Sequence, residues 1–503
     1  MIPSLRIRRF SLLSALSLSL CACQADGLSP HGAAPGSATV DGATLVSKGL
    51  VGVGRIPASQ RDKFGETFGS GSGMAIDTAS WTRASDGYRG TMYLLPDRGY
   101  NVTGTIDYRP RLNKLSIAFT PAEDARALPA DRRQGQVKAI LADSILLTDA
   151  SGVAMTGLDP GQGGIRPAAK NLPSLPQAAN GHIALDSEAV ALLDDGSFFI
   201  SDEYGPYIYR FSATGRMLTA IRPPEAFIAK RQGKEDFSSN NPGPDGAAPN
   251  PKDPEFGRQN NQGFEGMSLT PDRKTLAVIL QSATRQDGGT APETRRHTRI
   301  LFYDVADRDH PKLVRENAVP LPVFKNEDGK QRVAAQSELI ALSDTTFLLL
   351  SRDSGNGYGL KGENSLYRRI DILDTAQATD IAGTPYDGAA PVAPSGMLVD
   401  GIVPATLSAF IDINDNRELN KFGLHQGAPN DRDNLSEKWE AMGLAPALDP
   451  AAPDDYFLFV ANDNDFITQG GFQAGAAYKD EGGVDVDTLL LVYRVTIPGF
   501  NMH

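Results

Sequence analysis

Short apolar runs separated by polar turns recur along this chain. In the stretch SEAVALLDDGSFFISDEYGPYIYRFSATG, residues 187–215, the runs AVALL and SFFIS have the composition of strands. The DDG between them favours a hairpin, because Gly196 can adopt a positive φ without a steric cost. The two ends of a hairpin lie at one edge. Glu188, before the first run, and Asp202 and Glu203, after the second, are therefore predicted to lie at the same rim.

This frame of strand, turn, strand and polar cluster recurs in four more segments. They begin at Gly71, Phe264, Ser337 and Trp439. The polar clusters that end the five copies are Asp97-Arg98, Asp202-Glu203, Gln281-Ser282, Arg352-Asp353 and Asn462-Asp463. The run KAILADSILLTDASG resembles a weak sixth copy. Two further strand-like runs follow several copies, so each unit is expected to contain about four strands.

Repeated units of this kind are typical of a β-propeller. We predict an all-β fold, a single β-propeller of roughly four-stranded antiparallel sheets, with six blades and with seven as the alternative. The runs TLVSKGLVGVGRI and TLLLVYRVTIP, near the two ends of the chain, are suited to close the ring within one blade. A β-sandwich with additional domains would not explain why carboxylates recur at the same position of each repeated unit.

The first 22 residues have the pattern of an export signal. Three arginines precede the apolar run FSLLSALSLSL, which is too short to span a bilayer. The segment LCAC, residues 20–23, resembles a bacterial lipobox, which implies cleavage before Cys23 and a lipid on its thiol. We therefore expect an exported protein of the bacterial cell envelope, an outer-membrane lipoprotein. A periplasmic or secreted protein is the alternative.

The rest of the chain is expected to form a tether and one domain. Residues 23–44 are rich in Gly, Ala, Ser and Pro and are predicted to be flexible. Residues 45–500 are predicted to form the propeller. Both cysteines, Cys21 and Cys23, precede this domain, which therefore has no disulfide and no thiol nucleophile. We expect a monomer that contacts a membrane only through the lipid on Cys23.

The chain is acidic, which narrows the choice of partner. Its net charge is −12, and removal of residues 1–22, which hold three arginines and no acidic residue, makes it −15. This charge disfavours nucleic acid as a partner. It suits a protein that collects cations at acidic sites. A soluble acidic surface is the alternative explanation for most of these charges.

The repeated acids predict a metal site at one mouth of the propeller. The first strand of each blade lines the central channel, so its leading residue lies at one mouth. The glutamates expected to converge there are Glu188, Glu265, Glu338 and Glu440. The aspartates expected just outside this ring are Asp97, Asp202, Asp353 and Asp463. Ligands that offer only oxygen favour Ca²⁺. The alternative is that each glutamate caps backbone N–H groups or pairs with an arginine.

Several longer motifs resemble one family of exported propellers. SDEYGPYIYRFSATG, GRQNNQGFEGMSLTPD, AQSELIALSD, LLLSRDSG, EKWEAMGLAPALDP and FLFVANDNDF are similar to the phytase-like family, described as having esterase-like activity of phytase. The resemblance runs from about residue 50 to residue 498. It implies a hydrolase of phosphate esters or carboxylic esters that acts on a small molecule.

One hairpin is also similar to a blade of the calcium-dependent β-propeller phytases. In those enzymes an acidic cluster after the second strand helps to hold calcium at the active mouth. On this resemblance Glu188, Asp202 and Glu203 match. Those phytases also present a phosphate surface of lysines and arginines, for which this sequence offers no residue-by-residue match.

These residues suggest metal-assisted hydrolysis. Bound Ca²⁺ would neutralise a phosphate, orient it and lower the pKa of an attacking water. Asp202 and Glu203 lie at the expected mouth, and Arg98 and Arg352 could hold phosphate oxygens there. We therefore assign a catalytic role to these four residues. For both arginines, a salt bridge to the neighbouring acids is the alternative.

Three further functions compete with metal-assisted phosphoester hydrolysis. A serine esterase would need a nucleophile elbow, Gly-x-Ser-x-Gly, but the similar GSGSG at residues 69–73 has Gly71 at its centre. His182 is the only histidine close to the acidic motifs in sequence. A non-catalytic binding propeller held together by calcium is the second competitor, and a metal-dependent lactonase is the third.

Overall fold

Strands dominate the computed structural model of this chain. The structure describes residues 36–40, 42–69, 71–169, 171–244, 246–362 and 364–501. The predicted leader, Cys23 and most of the predicted tether lie outside these residues. No helix in the described ranges is both long enough and apolar enough to cross a bilayer.

Three four-stranded antiparallel sheets and one nine-stranded sheet form the framework. The nine-stranded sheet contains two four-stranded antiparallel units joined by one parallel pair, Gly54 with Val137. We call the five four-stranded units blades 1 to 5. Within each blade the strands are named from inner to outer. Blade 1 contains Gly73–Ala84, Gly87–Leu95, Arg111–Phe119 and Val137–Leu146. Blade 2 contains Ser187–Leu192, Phe198–Asp202, Ile208–Phe211 and Met217–Ile221. Blade 3 contains Phe264–Leu269, Thr275–Leu280, His297–Asp304 and Lys312–Pro320. Blade 4 contains Ala335–Ala341, Thr346–Arg352, Arg368–Asp374 and Thr406–Asp412. Blade 5 contains Lys438–Pro446, Asp455–Asp463, Thr488–Thr496 and Ala43–Ile56.

The blades form a closed ring. The inner strand of each blade contacts the inner strand of the next, and that of blade 5 contacts that of blade 1. Blade 5 is built from both ends of the chain, because Ala43–Ile56 pairs antiparallel with Thr488–Thr496. The predicted all-β propeller, and its closure by the two terminal runs, are confirmed by this arrangement.

The number of blades differs from the predicted six. The weak sixth copy of the repeat is the strand Val137–Leu146, which is the outermost strand of blade 1 and pairs with Arg111–Phe119. Its residues alternate largely between buried and more exposed positions, as expected at the edge of a sheet. It therefore completes a blade and does not begin one.

The predicted tether also ends earlier than expected. Ser37–Val40 forms a strand that pairs with the start of Ala43–Ile56, and Gly42 lies in the turn with a φ of 78°. Ala38 and Val40 are buried in a core that also contains residues of blades 4 and 5. Residues 37–40 and 43–44 thus belong to the propeller because they bury apolar side chains.

Short strand pairs and helical turns lie outside the five blades. The two-stranded pairs are Ile165–Arg166 with Leu175–Pro176, Lys230–Arg231 with Lys234–Glu235, Val323–Lys325 with Gln331–Val333, and Gly471–Gln473 with Ala476–Tyr478. The helical turns are Ala130–Arg132, Glu225–Phe227, Arg285–Gly289, Pro385–Asp387, Pro394–Gly396, Asn416–Leu419 and Asn420–Phe422.

The second strands of blades 2 to 5 are buried on both faces over nearly all of their length, whereas that of blade 1 is partly exposed. Every residue of Phe198–Asp202 and of Asp455–Asp463 is buried. A strand with two covered faces carries a continuous apolar run, which explains sequences such as SFFIS and YFLFVA. Five clusters of buried apolar side chains lie within and between the blades.

Glycines permit the inner strands to approach closely at one end of the ring. A Cβ atom on Gly266 would lie 2.7 Å from the carbonyl carbon of Glu338 in the next blade. A Cβ atom on Gly73 would overlap the backbone of Glu188 in the same way. The mouth of the channel is therefore packed backbone against backbone, so its side chains are held at fixed positions.

Gly73→Ala should destabilise the fold by about 1–3 kcal/mol, since the new methyl group must displace backbone atoms. Urea unfolding would measure this change. Gly135→Ala is the matched control, because the nearest atom to a Cβ there is the Arg132 carbonyl oxygen at 3.6 Å. Equal effects of the two substitutions would contradict the close packing at Gly73.

Candidate functional site

Three of the four predicted glutamates occupy equivalent positions at one mouth of the channel. In each of these blades the glutamate directly follows a residue that pairs with the second strand. These paired residues are Ser187, Phe264 and Trp439, which precede Glu188, Glu265 and Glu440 in that order. A shift of register follows each of these pairs. Such irregularities change the direction of a side chain. They bring the three carboxylates close enough to affect one another electrostatically.

Glu338 does not join this group. In blade 4 the irregular position is taken by Ser337, while Glu338 is paired with Leu350. A shift of one residue sends a side chain to the other face of a strand. Glu338 Oε1 accepts hydrogen bonds from the backbone N–H groups of Met267 at 3.3 Å and Leu339 at 2.8 Å. The capping role that we considered as an alternative is the one that this glutamate performs.

A cluster of three carboxylates, which we call the first acidic cluster, lies at the mouth beside blade 2. It consists of Asp186, Glu188 and Glu203, each of which offers an oxygen within 4.8 Å of the others. Their exposed fractions are only 1%, 6% and 2%. Asp186 Oδ1 and Glu203 Oε1 are buried, and no nitrogen or hydroxyl donor of a described residue reaches them. The two carboxyl groups are close enough to share a proton. One cation contacts the cluster, since Arg98 Nη1 donates to Asp186 Oδ2 at 2.7 Å.

Glu265 extends this cluster from blade 3. Gln281 Nε2 donates to Glu265 Oε1, whereas Oε2 is buried and has no hydrogen-bond partner in the described ranges. Burial, and then the charges of Glu265 and Asp186, raise the pKa of Glu188 well above its usual value. Burial also raises the pKa of Asp186 to about 7, although Arg98 opposes the shift. Arg98 therefore does not offset the cost of burying these carboxylates, which bound protons or a further cation must relieve.

A second acidic cluster, beside blades 1 and 5, contains its own cation. Asp97, Asp463 and Asp465 each offer an oxygen within 4.8 Å of the others. Lys438 Nζ lies 2.6 Å from Asp465 Oδ1 and 3.5 Å from Asp463 Oδ2. Burial by itself lowers the pKa of Lys438, but the charges of Asp465 and Asp463 outweigh it and raise this pKa well above its usual value. Lys438 thus occupies the place that a metal ion would take.

The two predicted catalytic arginines form ion pairs with acids at the mouth. Arg98 pairs with Asp186, and it also donates to Asn261 Oδ1. Arg352 Nη2 pairs with Glu440, and its Nη1 donates to the carbonyl oxygen of Asp353 at 3.3 Å. The Nε atoms of both arginines are buried without a partner among the described residues. The salt bridges considered as an alternative are present, and they position both guanidinium groups at the mouth.

Asp202 is placed to stabilise a turn. Its Oδ1 accepts the backbone N–H groups of Asp186 at 3.1 Å and Tyr204 at 3.0 Å. Its Oδ2 accepts the N–H of Gly205 at 2.9 Å and the hydroxyl of Tyr209 at 3.3 Å. Burial raises the pKa of Asp202 to about 7, although these N–H groups oppose the shift. All the contacts are within the protein, so Asp202 supports Asp186 and Glu203 and does not itself face the mouth.

Asp353 has the same structural role in blade 4. Its Oδ2 accepts the backbone N–H groups of Leu366 at 2.7 Å and Tyr367 at 3.1 Å. Its Oδ1 accepts the hydroxyl of Ser365 at 2.7 Å. Of the four predicted aspartates, only Asp97 and Asp463 therefore belong to an acidic cluster.

The sequence repeat did not identify three residues of the site: Asp186, Lys438 and Asp465. Asp186 lies only two residues before Glu188, and this closeness in sequence is the signal that could have identified it. Lys438 and Asp465 flank predicted residues of blade 5, but the repeat has no matching charges at these positions. Lys438 is paired with Asp463 across the first two strands of blade 5, and the packing of blade 1 against blade 5 adds Asp97 to the cluster.

The geometry does not support a serine nucleophile. Ser187 Oγ is buried and donates to the Pro96 carbonyl oxygen at 2.8 Å. His310 contacts Asp307, and His425 contacts Asp431, so neither of these histidines is positioned on a serine hydroxyl.

Comparison with known proteins identifies the family. The model of the family "Phytase-like: Esterase-like activity of phytase" matches residues 67–466. The chain belongs to this phytase-like family. A relative from Arthroderma benhamiae, called "Uncharacterized secreted protein", is 42% identical over 459 residues, which cover 85% of this chain and 88% of the relative.

Solved structures with similar chains include several propellers. A luciferin-regenerating enzyme is 11% identical and covers 90% of this chain and 97% of its own, with a TM-score of 0.28. The Dos1 propeller is 8% identical, covers 88% and 95%, and has a TM-score of 0.24. The WD40 domain of Toxoplasma gondii coronin is 8% identical, covers 91% and 89%, and has a TM-score of 0.24. With scores this low, the description of this phytase-like chain as a propeller rests on its own strand order.

Two substitutions should have opposite effects on stability when metal is removed by a chelator. Asp202→Asn should lower the free energy of unfolding by about 1–3 kcal/mol, because an amide nitrogen would face backbone donors. Glu188→Gln should raise it by about 1–2 kcal/mol at about pH 8. The pKa of Glu188 is raised in the folded state, so this carboxyl costs stability as the pH rises above its unfolded pKa, and glutamine removes that cost.

Urea unfolding at about pH 8 and about pH 5 would test both expectations. The stabilisation by Glu188→Gln should shrink at the lower pH, because about pH 5 is close to the pKa of an unfolded glutamate, about 4.3, and unfolding then gains little from release of the proton. Loss of stability in Glu188→Gln together with no change in Asp202→Asn would contradict the roles assigned to these two residues.

Proposed function

We propose that this phytase-like protein is an exported hydrolase of phosphate esters or related esters that uses a divalent cation, Ca²⁺, at the first acidic cluster. The observation that carries the proposal is the set of buried carboxylate oxygens on Asp186, Glu203 and Glu265 that no nitrogen or hydroxyl donor reaches within the described ranges. Burial of unpaired carboxylates is costly unless a cation lies among them. Arg98 supplies one positive charge, and a divalent ion would supply the rest.

The donor set fits a hard cation. Asp186, Glu188, Glu203 and Glu265 offer only oxygen atoms, and neither cysteine of the chain lies in the propeller. Calcium and magnesium prefer such ligands, and calcium tolerates the less regular geometry. The second acidic cluster fits a metal ion less well, because Lys438 already contacts two of its carboxylates. We therefore assign the ion to the first acidic cluster, with Asp186, Glu188 and Glu265 as its ligands and with Glu203 beside it.

When bound, the ion would supply Lewis acidity that lowers the pKa of a water molecule and neutralises the ester. The protein would supply the rest. Glu203, whose pKa is raised by burial, is suited to take the proton from that water. Arg98 and Arg352 would stabilise the negative charge that develops on the substrate oxygens. Asp202 would hold the turn that carries Glu203.

Export is supported by two independent observations. The relative from Arthroderma benhamiae is called a secreted protein. The first residues of this chain carry three arginines and an apolar run that ends in LCAC. We propose that the leader directs export and that Cys23 carries a lipid in the mature protein.

Hydrolysis by the chain from residue 24 onward tests the proposal. The substrates would be phytate, p-nitrophenyl phosphate, bis-p-nitrophenyl phosphate, p-nitrophenyl acetate and a lactone, each with Ca²⁺ and with chelator. We expect calcium-dependent release of phosphate that falls by about 100-fold or more in Glu188→Gln and in Glu203→Gln. Glu338→Gln is the matched control, because it removes a buried glutamate outside the cluster, and it should retain activity.

Different outcomes would replace the proposal with one of its competitors. Cleavage of p-nitrophenyl acetate that is indifferent to chelator would indicate a metal-independent esterase. Turnover of the lactone alone would indicate a lactonase. No turnover, with calcium only raising the melting temperature, would indicate a binding propeller held together by calcium.

A further inference from the structure

Strand directions in blade 5 show at which face of the propeller the described chain begins. The second strand, Asp455–Asp463, ends in the second acidic cluster and therefore runs toward the mouth. Its partner Thr488–Thr496 is antiparallel, so Thr496 lies at the opposite end of the blade. Val46, near the start of the outer strand Ala43–Ile56, pairs with Thr496. The outer strand thus starts at the face opposite the mouth.

The residues before this strand enter the propeller at the same face. The Gly36 carbonyl oxygen accepts the backbone N–H of Ser47 at 2.7 Å, directly beside Val46. Val46 and Ile56, near the two ends of the outer strand, are about ten residues apart, which corresponds to at most about 33 Å. The chain that arrives from Cys23 therefore joins the propeller far from the acidic mouth.

The length of chain between Cys23 and Gly36 limits how an anchored propeller can turn. These residues, about thirteen in number, span at most about 45 Å when fully extended. A flexible segment of that length has an average end-to-end distance of about 20 Å. To bring the mouth to a bilayer, the segment would have to cover about 33 Å along the side of blade 5. The opposite face can approach the bilayer without this extension.

The face opposite the mouth, which we call the distal face, consists of the turns between the first and second strands of the blades. These turns are residues 85–86, 193–197, 270–274, 342–345 and 447–454. Asp86 pairs with Arg89 at 2.7 Å, and Asp449 pairs with Arg494 at 3.4 Å. Leu448 is the large apolar side chain that these described turns expose. Because burial of charged groups in hydrocarbon is costly, the distal face is suited to lie at the surface of a bilayer without entering it.

We propose that the distal face lies against the lipid bilayer in the lipidated protein and that the acidic mouth opens into the surrounding water. A mouth in this position would meet dissolved esters and not the headgroups of the membrane that holds the protein. The inference rests on the lipid proposed for Cys23, whereas the entry of the chain at the distal face does not. It narrows the substrate of the proposed function to water-soluble esters.

Fluorescence quenching by lipids tests this orientation without any requirement for metal or turnover. The full chain, lipidated in the expressing cell, would be bound to phosphatidylcholine vesicles that carry a nitroxide on the lipid headgroup. Leu448→Cys provides a thiol for a fluorescent label on the distal face. Val102→Cys provides one beside Asn101, which donates to Asp97 at the mouth. The two side chains are similarly exposed, at 43% and 53%. We expect loss of fluorescence from the label at residue 448 and none from the label at residue 102.

The chain from residue 24, which lacks Cys23 and its lipid, is the matched control, and both labels should remain unquenched in it. Equal quenching of both labels in the vesicle-bound full chain, or quenching at residue 102 alone, would overturn the orientation and leave the lipid in place. If the full chain fails to bind vesicles, the proposed lipid is absent and the orientation fails with it. The hydrolase activity is measured separately on the soluble chain, so its failure is distinguishable from both.

Reactivity of the same two thiols gives a second measurement. In vesicles the thiol of Val102→Cys should react with a bulky, water-soluble maleimide as fast as it does in detergent. The thiol of Leu448→Cys should react more slowly in vesicles, because the bilayer restricts access to the distal face. Protection of the thiol at residue 102 would contradict a mouth that opens into water.

Discussion

The mutual repulsion of buried carboxylates is the constraint on which the mouth of this propeller depends. Asp186, Glu188, Glu203 and Glu265 lie within one small volume, and burial raises the pKa of each. Such a group is stable only if protons, cationic side chains or metal ions balance its charge. Cationic side chains supply part of this balance, since Lys438 forms ion pairs in the second acidic cluster and Arg98 forms one in the first.

The framework makes this arrangement possible because close packing of the backbone fixes the positions of the inner strands at the mouth. Inner strands approach so closely at the mouth that Gly73 and Gly266 leave no room for a Cβ atom. Register shifts then direct the side chains of Glu188, Glu265 and Glu440 toward the same mouth of the channel. Asp202 and Asp353 hold the turns that follow the second strands. Two of the aspartates of the repeat therefore stabilise turns at the mouth, and the other two contribute negative charge to it.

The sequence by itself determined the all-β propeller, the closure by the terminal strands and the mouth at which acids collect. It could do so because strand and turn signals are local and the repeat sets their phase. Its prediction of six blades failed because an outer strand, Val137–Leu146, has the same local pattern as an inner one. Only the tertiary structure separated Glu338 from the other glutamates, since a shift of one residue in pairing is invisible in the sequence. The roles of Asp186 and Lys438 were likewise decided by packing, because a charge is balanced by neighbours in space and the neighbours of a blade are distant along the chain.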